Sequence, residues 1–336
     1  MALHSQQQWV KRVESIGIAG FGGRGKLIAR KLAELGFKVE GVYDSNPAQL
    51  SEAPFRTFTD LDALLNLDLS ALVVATWPSS HAKIAVSALE HGLDIFVEKP
   101  MGATIDQSLQ IVEAQKRSGR LVVVGYVERV NPAIVKLREI ADLKDVVRSR
   151  EIRIGMAPSS VDGAGVLLDL GSHSIDMAYH LFRAEPKVRS AILTTEQEGK
   201  PEYECMVELD YGNTRSYVEV RRTNMRRRRL ELDTDQEYYE VTCTPAALKI
   251  GFPPPKLRKR PQSFEDLEQL SRNVETIFEL PREEPITTML QRFAESVKKG
   301  SVVAPLCSAD EALVTARAID DAKKVAEYRY FKKAYI

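Results

Sequence analysis

The order of apolar segments predicts an α/β chain: a doubly wound parallel sheet first, then a separate α+β domain on a large, mainly antiparallel open sheet. Three observations predict it. Between residues 13 and 124, short apolar runs alternate with stretches of helical spacing. A glycine-rich turn separates the first run from the first helix. Beyond Arg129, strand-like segments follow one another with no helix between them.

The apolar run 13–18 reads as the first strand, and 26–35, with Leu27, Ile28, Leu32 and Leu35 at helical spacing, as the first helix. Strands are expected at 38–43, 71–76, 93–97 and 121–124, and helices at 79–90 and 105–117. Such alternation builds parallel strands joined by crossover helices. The domains are expected at 1–128 and 129–336. In the second, 131–140 reads as a helix, and segments around Ile192 and at 206–209, 217–220, 230–232 and 238–241 as strands. Residues 251–261, with four prolines and Lys256, Arg258, Lys259 and Arg260, read as an irregular surface connection. Helices are expected at 286–299, with Pro285 near its start, and at 308–327, with Ser308 as a cap.

The glycine turn is Gly20-Phe21-Gly22-Gly23-Arg24-Gly25, a G-x-G-x-x-G between strand and helix. The first glycine permits the tight turn, the second lets backbone approach a pyrophosphate, and the third allows close packing of helix on strand. Unpaired amides at the helix start favour the phosphate charge. The strand 38–43 ends at Asp44, roughly twenty residues beyond the turn. A carboxylate there can accept both ribose hydroxyls of an adenosine and repels a 2′-phosphate, which favours NAD over NADP. Arg24 keeps NADP open, because its guanidinium could reach that phosphate. The bland alternative is a plain structural turn.

Lys plus Arg and Asp plus Glu are both 47, so no global basic field calls for nucleic acid. The three cysteines, Cys205, Cys243 and Cys307, are far apart, which suggests neither a disulfide framework nor a zinc site and fits a reducing cytoplasm. The polar, Gln-rich start lacks the apolar stretch of a signal peptide, and no run approaches the roughly twenty apolar residues of a membrane helix.

Glu98-Lys99-Pro100 directly follows the strand 93–97, and a lysine at the carboxyl end of a parallel strand can project into the crevice where open α/β sheets bind ligands. The competing reading is a solvated rim residue. Asp169 and His173 are four apart, so on a helix they share one face, where a carboxylate can orient an imidazole. That imidazole suits taking a proton from an alcohol while hydride leaves its carbon. Gly171 between them would leave room for a ligand, and Lys99 could stabilise alkoxide character at the same oxygen. Alternatives are a helix start with a satisfied interface histidine, or two ligands of a metal; further metal ligands are not evident.

Together these pieces, with Thr76-Trp77-Pro78-Ser79-Ser80-His81 and the segment from Gly165 to Asp176, resemble the Gfo/Idh/MocA family of NAD(P)-dependent sugar and cyclitol oxidoreductases over essentially the whole chain. The resemblance implies a Rossmann domain and a catalytic set of Lys99, Asp169 and His173. It implies that Thr76, Trp77, Pro78 and His81 pass near the nicotinamide and its ribose, joining Gly20, Phe21, Gly22, Gly23, Arg24, Gly25, Asp44, Glu98 and Lys99 as the cofactor-binding set. Val124-Gly125-Tyr126-Val127-Glu128-Arg129-Val130-Asn131-Pro132-Ala133 is similar to a segment of nucleotide-sugar 3-dehydrogenases, with Tyr126 where His is usual and Val130 where Phe is usual. Tyr126, Arg129, Asn131 and Arg153 are therefore candidates for substrate recognition beside Lys99, Asp169 and His173. The family also suggests a homodimer or homotetramer packed through the open sheet.

The run from Arg221 to Arg229 could meet a substrate phosphate or diphosphate, or be a solvated strand edge or subunit contact paired with acids such as Glu231, Asp233, Asp235 and Glu237. His180 reads as a satisfied interface histidine rather than a second base. Three functions follow: a nucleotide-sugar or hexose(-phosphate) 3-dehydrogenase, an inositol or aminocyclitol dehydrogenase, or a noncatalytic nucleotide-sensing protein. The partners expected are a sugar, nucleotide sugar or cyclitol, and neither nucleic acid nor membrane.

Overall fold

The computed structural model describes residues 15–156, 164–235, 237–243, 246–252, 274–281 and 284–331. Seven strands form the first sheet: β1 (Ser15–Ala19), β2 (Lys38–Tyr43), β3 (Thr57–Phe58), β4 (Ala71–Val74), β5 (Asp94–Val97), β6 (Val122–Val124) and β15 (Cys307–Ser308), in the order β15-β6-β5-β4-β1-β2-β3. All neighbours run parallel except β15 against β6.

Alternate side chains point to opposite faces of a strand, and the apolar residues divide accordingly. Ile16, Ile18, Val73, Phe96 and Val123 pack on one face with Ile28, Ala29 and Leu32 of α1 (Gly23–Glu34). Leu72, Val74, Ile95, Val97, Val122 and Val124 pack on the other, with Leu64 and Leu65 of α2 (Leu61–Leu65), Ala85 and Leu89 of α3 (Pro78–Glu90), and Ile111 of α4 (Ile105–Ser118). From β1 the chain steps to β2 in one direction along the sheet, and from β4 through β6 in the other. Right-handed crossovers then put α1 on one face and α3 and α4 on the opposite face.

This winding leaves Phe96 and Val123 without a local helix to cover them. A later segment does so: Met289, Leu290, Phe293 and Val297 of α7 (Pro285–Lys299) join that layer, with the Phe96 and Phe293 rings 5.6 Å apart. The two compact units are accordingly Met1–Val130 with Glu283–Asp320, and Asn131–Arg282 with Asp321–Ile336. The expected second domain of 129–336 thus gives up 283–320 to the first unit, because the first sheet needs that helix.

The second unit is a nine-stranded sheet, β14-β13-β12-β11-β7-β10-β9-β8-β16. Its strands are β7 (Arg148–Met156), β8 (Lys187–Thr195), β9 (Glu204–Asp210), β10 (Arg215–Thr223), β11 (Arg227–Asp233), β12 (Tyr238–Cys243), β13 (Ala246–Phe252), β14 (Val274–Phe278) and β16 (Ala326–Tyr330). Pairing is antiparallel except for β7 with β10 and β8 with β16. Ala133, Ile134 and Leu137 of α5 (Pro132–Ile140) and Met177 and Leu181 of α6 (Ser172–Phe182) pack with Leu230, Leu232, Tyr239, Val241, Leu248 and Ile250.

The short elements β3, α2 and β15 and the strands β13 and β14 were not expected from the sequence, and three further differences are informative. Strand β7 was not expected, because its buried positions include Ser149, Glu151 and Arg153, with Arg153 Nη2 donating to Glu151 Oε1 at 2.9 Å. Residues 251 and 252 continue β13 rather than beginning an irregular connection, while 253–261, like residues 13 and 14, lie outside the described residues. The last helix, α8 (Ala309–Val325), gives way to β16 where its continuation to 327 was expected. Ser308 caps it as expected: Glu311 N–H donates to Ser308 Oγ at 3.3 Å, and Ser308 N–H donates to the Glu311 carboxylate at 3.2 Å, a reciprocal capping box.

Candidate active site

In the first unit the glycine turn borders a cleft of about 390 Å³ whose lining includes Gly22, Gly23, Arg24, Asp44, Thr76 and Trp77. Each glycine has its own reason. Gly20 has φ +95°, and a Cβ there would lie 2.6 Å from the Ala75 backbone. A Cβ on Gly25 would lie 1.9 Å from the Gly20 carbonyl oxygen, so helix and turn meet only because both lack side chains. At Gly22 and Gly23 a Cβ would meet nothing within 4 Å, which leaves open space above the backbone. Helix α1 begins there with no side-chain cap and no acidic residue in its first turn. Its unpaired amides and positive dipole end suit an anion. Open backbone, uncapped amides and a ribose-side carboxylate fit a dinucleotide.

Asp44 is fixed at the end of β2. Its Oδ2 accepts from Phe21 N–H at 2.8 Å and its Oδ1 from Asn46 N–H at 2.8 Å. Phe21 itself is buried against Phe55, so this residue contributes backbone rather than ring to the turn. Arg24 points at β5, donating from Nε to Glu98 Oε1 at 2.7 Å. Glu98 is buried, and Gly125 leaves it room: a Cβ there would lie 3.2 Å from the carboxylate. Lys99 follows, half-buried, with its N–H 3.3 Å from Glu98 Oε2.

Ser80 Oγ donates to Thr76 Oγ1 at 2.8 Å, Pro78 opens α3, and Trp77 is 54% exposed beside the cleft. His81 differs from expectation. It is 1% exposed, and its ring nitrogens lie 2.9 Å from the Pro100 carbonyl oxygen and 3.0 Å from that of Thr76. It ties the turn at 76 to the Glu98-Lys99-Pro100 turn. Burial pushes its pKa below the usual imidazole range, outweighing the two carbonyls and nearby Glu98.

In the second unit, a π turn (Leu167–Gly171) runs straight into α6. Such turns are often found at functional sites. Asp169 lies on the turn and His173 in the first turn of α6, in one continuous helical segment. Asp169 Oδ2 accepts from Arg222 Nη2 at 2.9 Å. Glu202 holds the start of the turn, its Oε1 accepting from Leu167 N–H at 3.0 Å. Gly171 does not open space for a ligand: a Cβ there would lie 3.0 Å from Leu167 Cδ1, so the space is already filled by packing.

The residues expected to recognise substrate are buried: Tyr126 at 3%, Arg129 at 0%, Asn131 at 2% and Arg153 at 1% exposure. Arg129 Nη1 donates to Glu311 Oε2 at 2.7 Å, Asn131 caps α5 through Ala133 N–H at 3.0 Å, and Arg153 pairs with Glu151. The polar groups of Arg129, Asn131 and Arg153 are thus engaged within the protein. His180 is also buried, with Nε2 3.0 Å from Arg138 Nη1. Sequence reasoning missed Asn46, Glu202 and the role of Arg222. Asn46 had a signal, since an Asn before Pro47 caps the short turn that follows Asp44. Among the described residues no group of three or more His, Cys, Asp or Glu side chains could hold a metal ion, and no helix is long and apolar enough to cross a membrane.

Residues 15–126 match the family model described as "Oxidoreductase family, NAD-binding Rossmann fold", and residues 154–249 match the "GFO/IDH/MocA C-terminal domain". The UDP-N-acetylglucosamine 3-dehydrogenase of Acidithiobacillus ferrooxidans is 28% identical over 174 residues, 51% of this chain and 55% of its own. A solved structure under that name superposes with a TM-score of 0.79 at 20% identity, covering 93% of this chain and 97% of the other. Inositol 2-dehydrogenase 2 of Saccharopolyspora erythraea is 27% identical over 218 residues, 61% of this chain and 62% of its own. The 3-ketoreductase KijD10 of Actinomadura kijaniata, solved with NADP and TDP-benzene, has a TM-score of 0.79 at 15% identity, covering 94% of this chain and 99% of the other. The chain thus spans a little over half the length of these two curated relatives, and at such identities the structural likeness is one of fold.

Proposed function

Because the chain belongs to the Gfo/Idh/MocA family of oxidoreductases, we propose that it is an NAD-dependent dehydrogenase that oxidises a secondary alcohol on a sugar ring to the ketone, or runs the reverse. The substrate class is a nucleotide sugar or hexose(-phosphate), with position 3 as the reacting carbon. The observation that carries this reading is the cleft of the first unit, where open backbone at Gly22 and Gly23, an uncapped helix start and Asp44 border one cavity.

NAD, when held by the glycine turn and Asp44, would supply the hydride acceptor. The chain's own residues do the rest: Lys99 binds the reacting oxygen and stabilises its alkoxide character, His173 takes the hydroxyl proton, and Asp169 holds that imidazole. NAD is favoured over NADP on two grounds. Asp44 keeps a carboxylate at the ribose side, and Arg24, the residue that could have met a 2′-phosphate, is engaged by Glu98. KijD10 holds NADP in its own structure, so both cofactors belong in the test.

The substrate class is supported by the name of the Acidithiobacillus relative; the Saccharopolyspora relative favours a second reading, an inositol or aminocyclitol dehydrogenase. The protein is also read as a homodimer or homotetramer, supported by Met206 and Tyr217, 49% and 39% exposed on the second sheet; sedimentation as a monomer would remove this. All three cysteines are thiols, which suits a cytoplasmic enzyme, and localisation by fractionation tests it.

The test is a panel of UDP-sugars, sugar phosphates, free hexoses and inositols with NAD and with NADP, followed at the reduced-cofactor absorbance. Turnover of UDP-sugars or hexose phosphates with NAD is expected. Turnover of inositols alone moves the assignment to the second reading, and no turnover with any alcohol or matching ketone sinks both.

A further inference from the structure

We propose that Arg222 is the positioning residue of the proton-transfer pair, fixing the Asp169 carboxylate and offsetting its charge beside His173. The inference rests on the dehydrogenase reading for its kinetic consequence, but its structural basis lies wholly within the second unit.

The geometry starts at Gly155. In the pairing of β7 with β10, Arg222 stands opposite Gly155, and Val220 opposite Arg153. A Cβ on Gly155 would lie 2.9 Å from Leu170 Cδ1, so the missing side chain lets the π turn settle onto β7. Leu170 is the chain neighbour of Asp169, and settling it there brings Asp169 over the end of β10. Arg222 meets it with Nη2 at 2.9 Å from Oδ2. The Arg222 side chain is 7% exposed and that of Asp169 35%. An arginine so covered and already bonded to a carboxylate is poorly placed to greet a substrate phosphate.

The basic run therefore divides by function. Arg222 is committed to Asp169, and Arg229 to Glu231 and Glu240, whereas Arg226 and Arg227 are exposed. The two exposed arginines are the ones open to an anionic ligand or a solvated edge, while Arg221 and Arg228 are half-buried.

The chemical consequence concerns His173. A bare carboxylate beside an imidazole stabilises the imidazolium and raises its pKa. A carboxylate half-neutralised by a guanidinium still orients the ring but raises its pKa less. That suits a base which must be neutral to accept a proton near pH 7. On the strands packed against the π turn, Glu151 and Arg153 of β7 and Cys205 of β9 share the face of Arg222, whereas Arg150 of β7, Glu204 of β9 and Glu219 and Arg221 of β10 alternate to the other face; Glu202 lies just before β9, and Asp176 and His180 lie further along α6. Arg153 and Glu151 are paired, and Glu202 accepts from Leu167 N–H.

The test is the imidazole titration of His173, followed by NMR in full-length protein with isotope-labelled histidine and assigned by a His173→Gln control. In Arg222→Met the midpoint is expected to rise by about one pH unit, and in Arg222→Lys, which keeps the charge, to stay near the unaltered protein. In an Asp169→Asn background, Arg222→Met should give no such rise. With the best substrate from the panel, Arg222→Met should lower kcat about tenfold or more with KM little changed, and the acid limb of kcat/KM should move up with the titration. If Arg222→Met does not fold, Arg222→Gln replaces it. A midpoint that stays put, or a rise that persists without the Asp169 carboxylate, overturns the proposal. Absence of any turnover by the unaltered protein would instead count against the dehydrogenase reading and leave the titration result standing.

Discussion

The glycine turn of the first unit and the π turn of the second each lead into a helix, but they are made in opposite ways. Residues 20–25 work by what is missing: no Cβ at Gly20 or Gly25, where one would collide, and none at Gly22 or Gly23, where one would fill open space. The turn at 167–171 works by what is present, a carboxylate held by an arginine from a distant strand and a backbone held by Glu202. A site made of absent side chains should tolerate changes in charge and fail on added volume. One made of paired charges should do the reverse.

The largest effect that sharpens this contrast is expected at Lys99. Lys99→Ala should lower kcat about 10²- to 10³-fold, the scale of removing one electrostatic partner of a developing oxyanion. NAD binding, measured by fluorescence titration, should persist; an intact rate of alcohol-dependent NADH formation would remove Lys99 from the chemistry. Next come the glycines. Gly25→Ala puts a Cβ 1.9 Å from the Gly20 carbonyl oxygen and should cost about 2–3 kcal/mol in denaturant unfolding. Gly22→Ala meets no protein atom within 4 Å and should leave stability within about 0.5 kcal/mol. It should still weaken NAD binding about tenfold, or about 1.4 kcal/mol. Equal stability loss in the two variants would break the contrast.

The smallest effect is in the acid dependence of stability, where the two units should part. His81 has its pKa lowered by burial, so the folded state binds its proton less readily than the unfolded chain. Its contribution is complete above about pH 6.5 and is lost as pH falls below that. Asp210 is held well below the usual carboxylate range by the Arg215 guanidinium first, then by Gly212 N–H and Arg189. Its contribution is complete above about pH 4 and is lost only as pH falls further. Thermal unfolding from pH 8 to pH 3 should therefore show an early loss absent from His81→Gln and a later one absent from Asp210→Asn. A single loss near pH 4, unchanged by His81→Gln, would mean that folding leaves the His81 pKa where it is in the unfolded chain.

What could be read in the sequence follows the same division. The glycine turn, Asp44 and the strand before Lys99 were legible because each depends on neighbours close in the chain and on backbone freedom that residue type reveals. The partnership of Asp169 with Arg222 was not, because 53 residues separate them and only the register of β7 with β10 unites them. Strand β7 was hidden for a related reason: Glu151 and Arg153 occupy its buried face, where they pair with each other. Arg129, Asn131 and Arg153 looked ready for substrate because polar residues in a glycine-punctuated segment resemble a binding loop. The Asn131 cap on Ala133 N–H is local and carries the same Asn-Pro signal as Asn46, whereas the burial of all three and the bond from Arg129 to Glu311 were decided by tertiary packing.

The return of α7 to the first sheet bears on how the chain is born. A ribosome delivers β1 to β6 well before it makes residues 285–299, so Val73, Phe96 and Val123 emerge with part of their apolar face bare. The first unit cannot complete itself as it is synthesised; it must wait, partly open, while residues 131–282 of the second unit are made. A chain stopped at residue 130 should accordingly be recovered in aggregates or on chaperones, and supplying residues 283–320 as a separate polypeptide should restore solubility. The order of the two units along this chain is thus not the order in which their folding can finish.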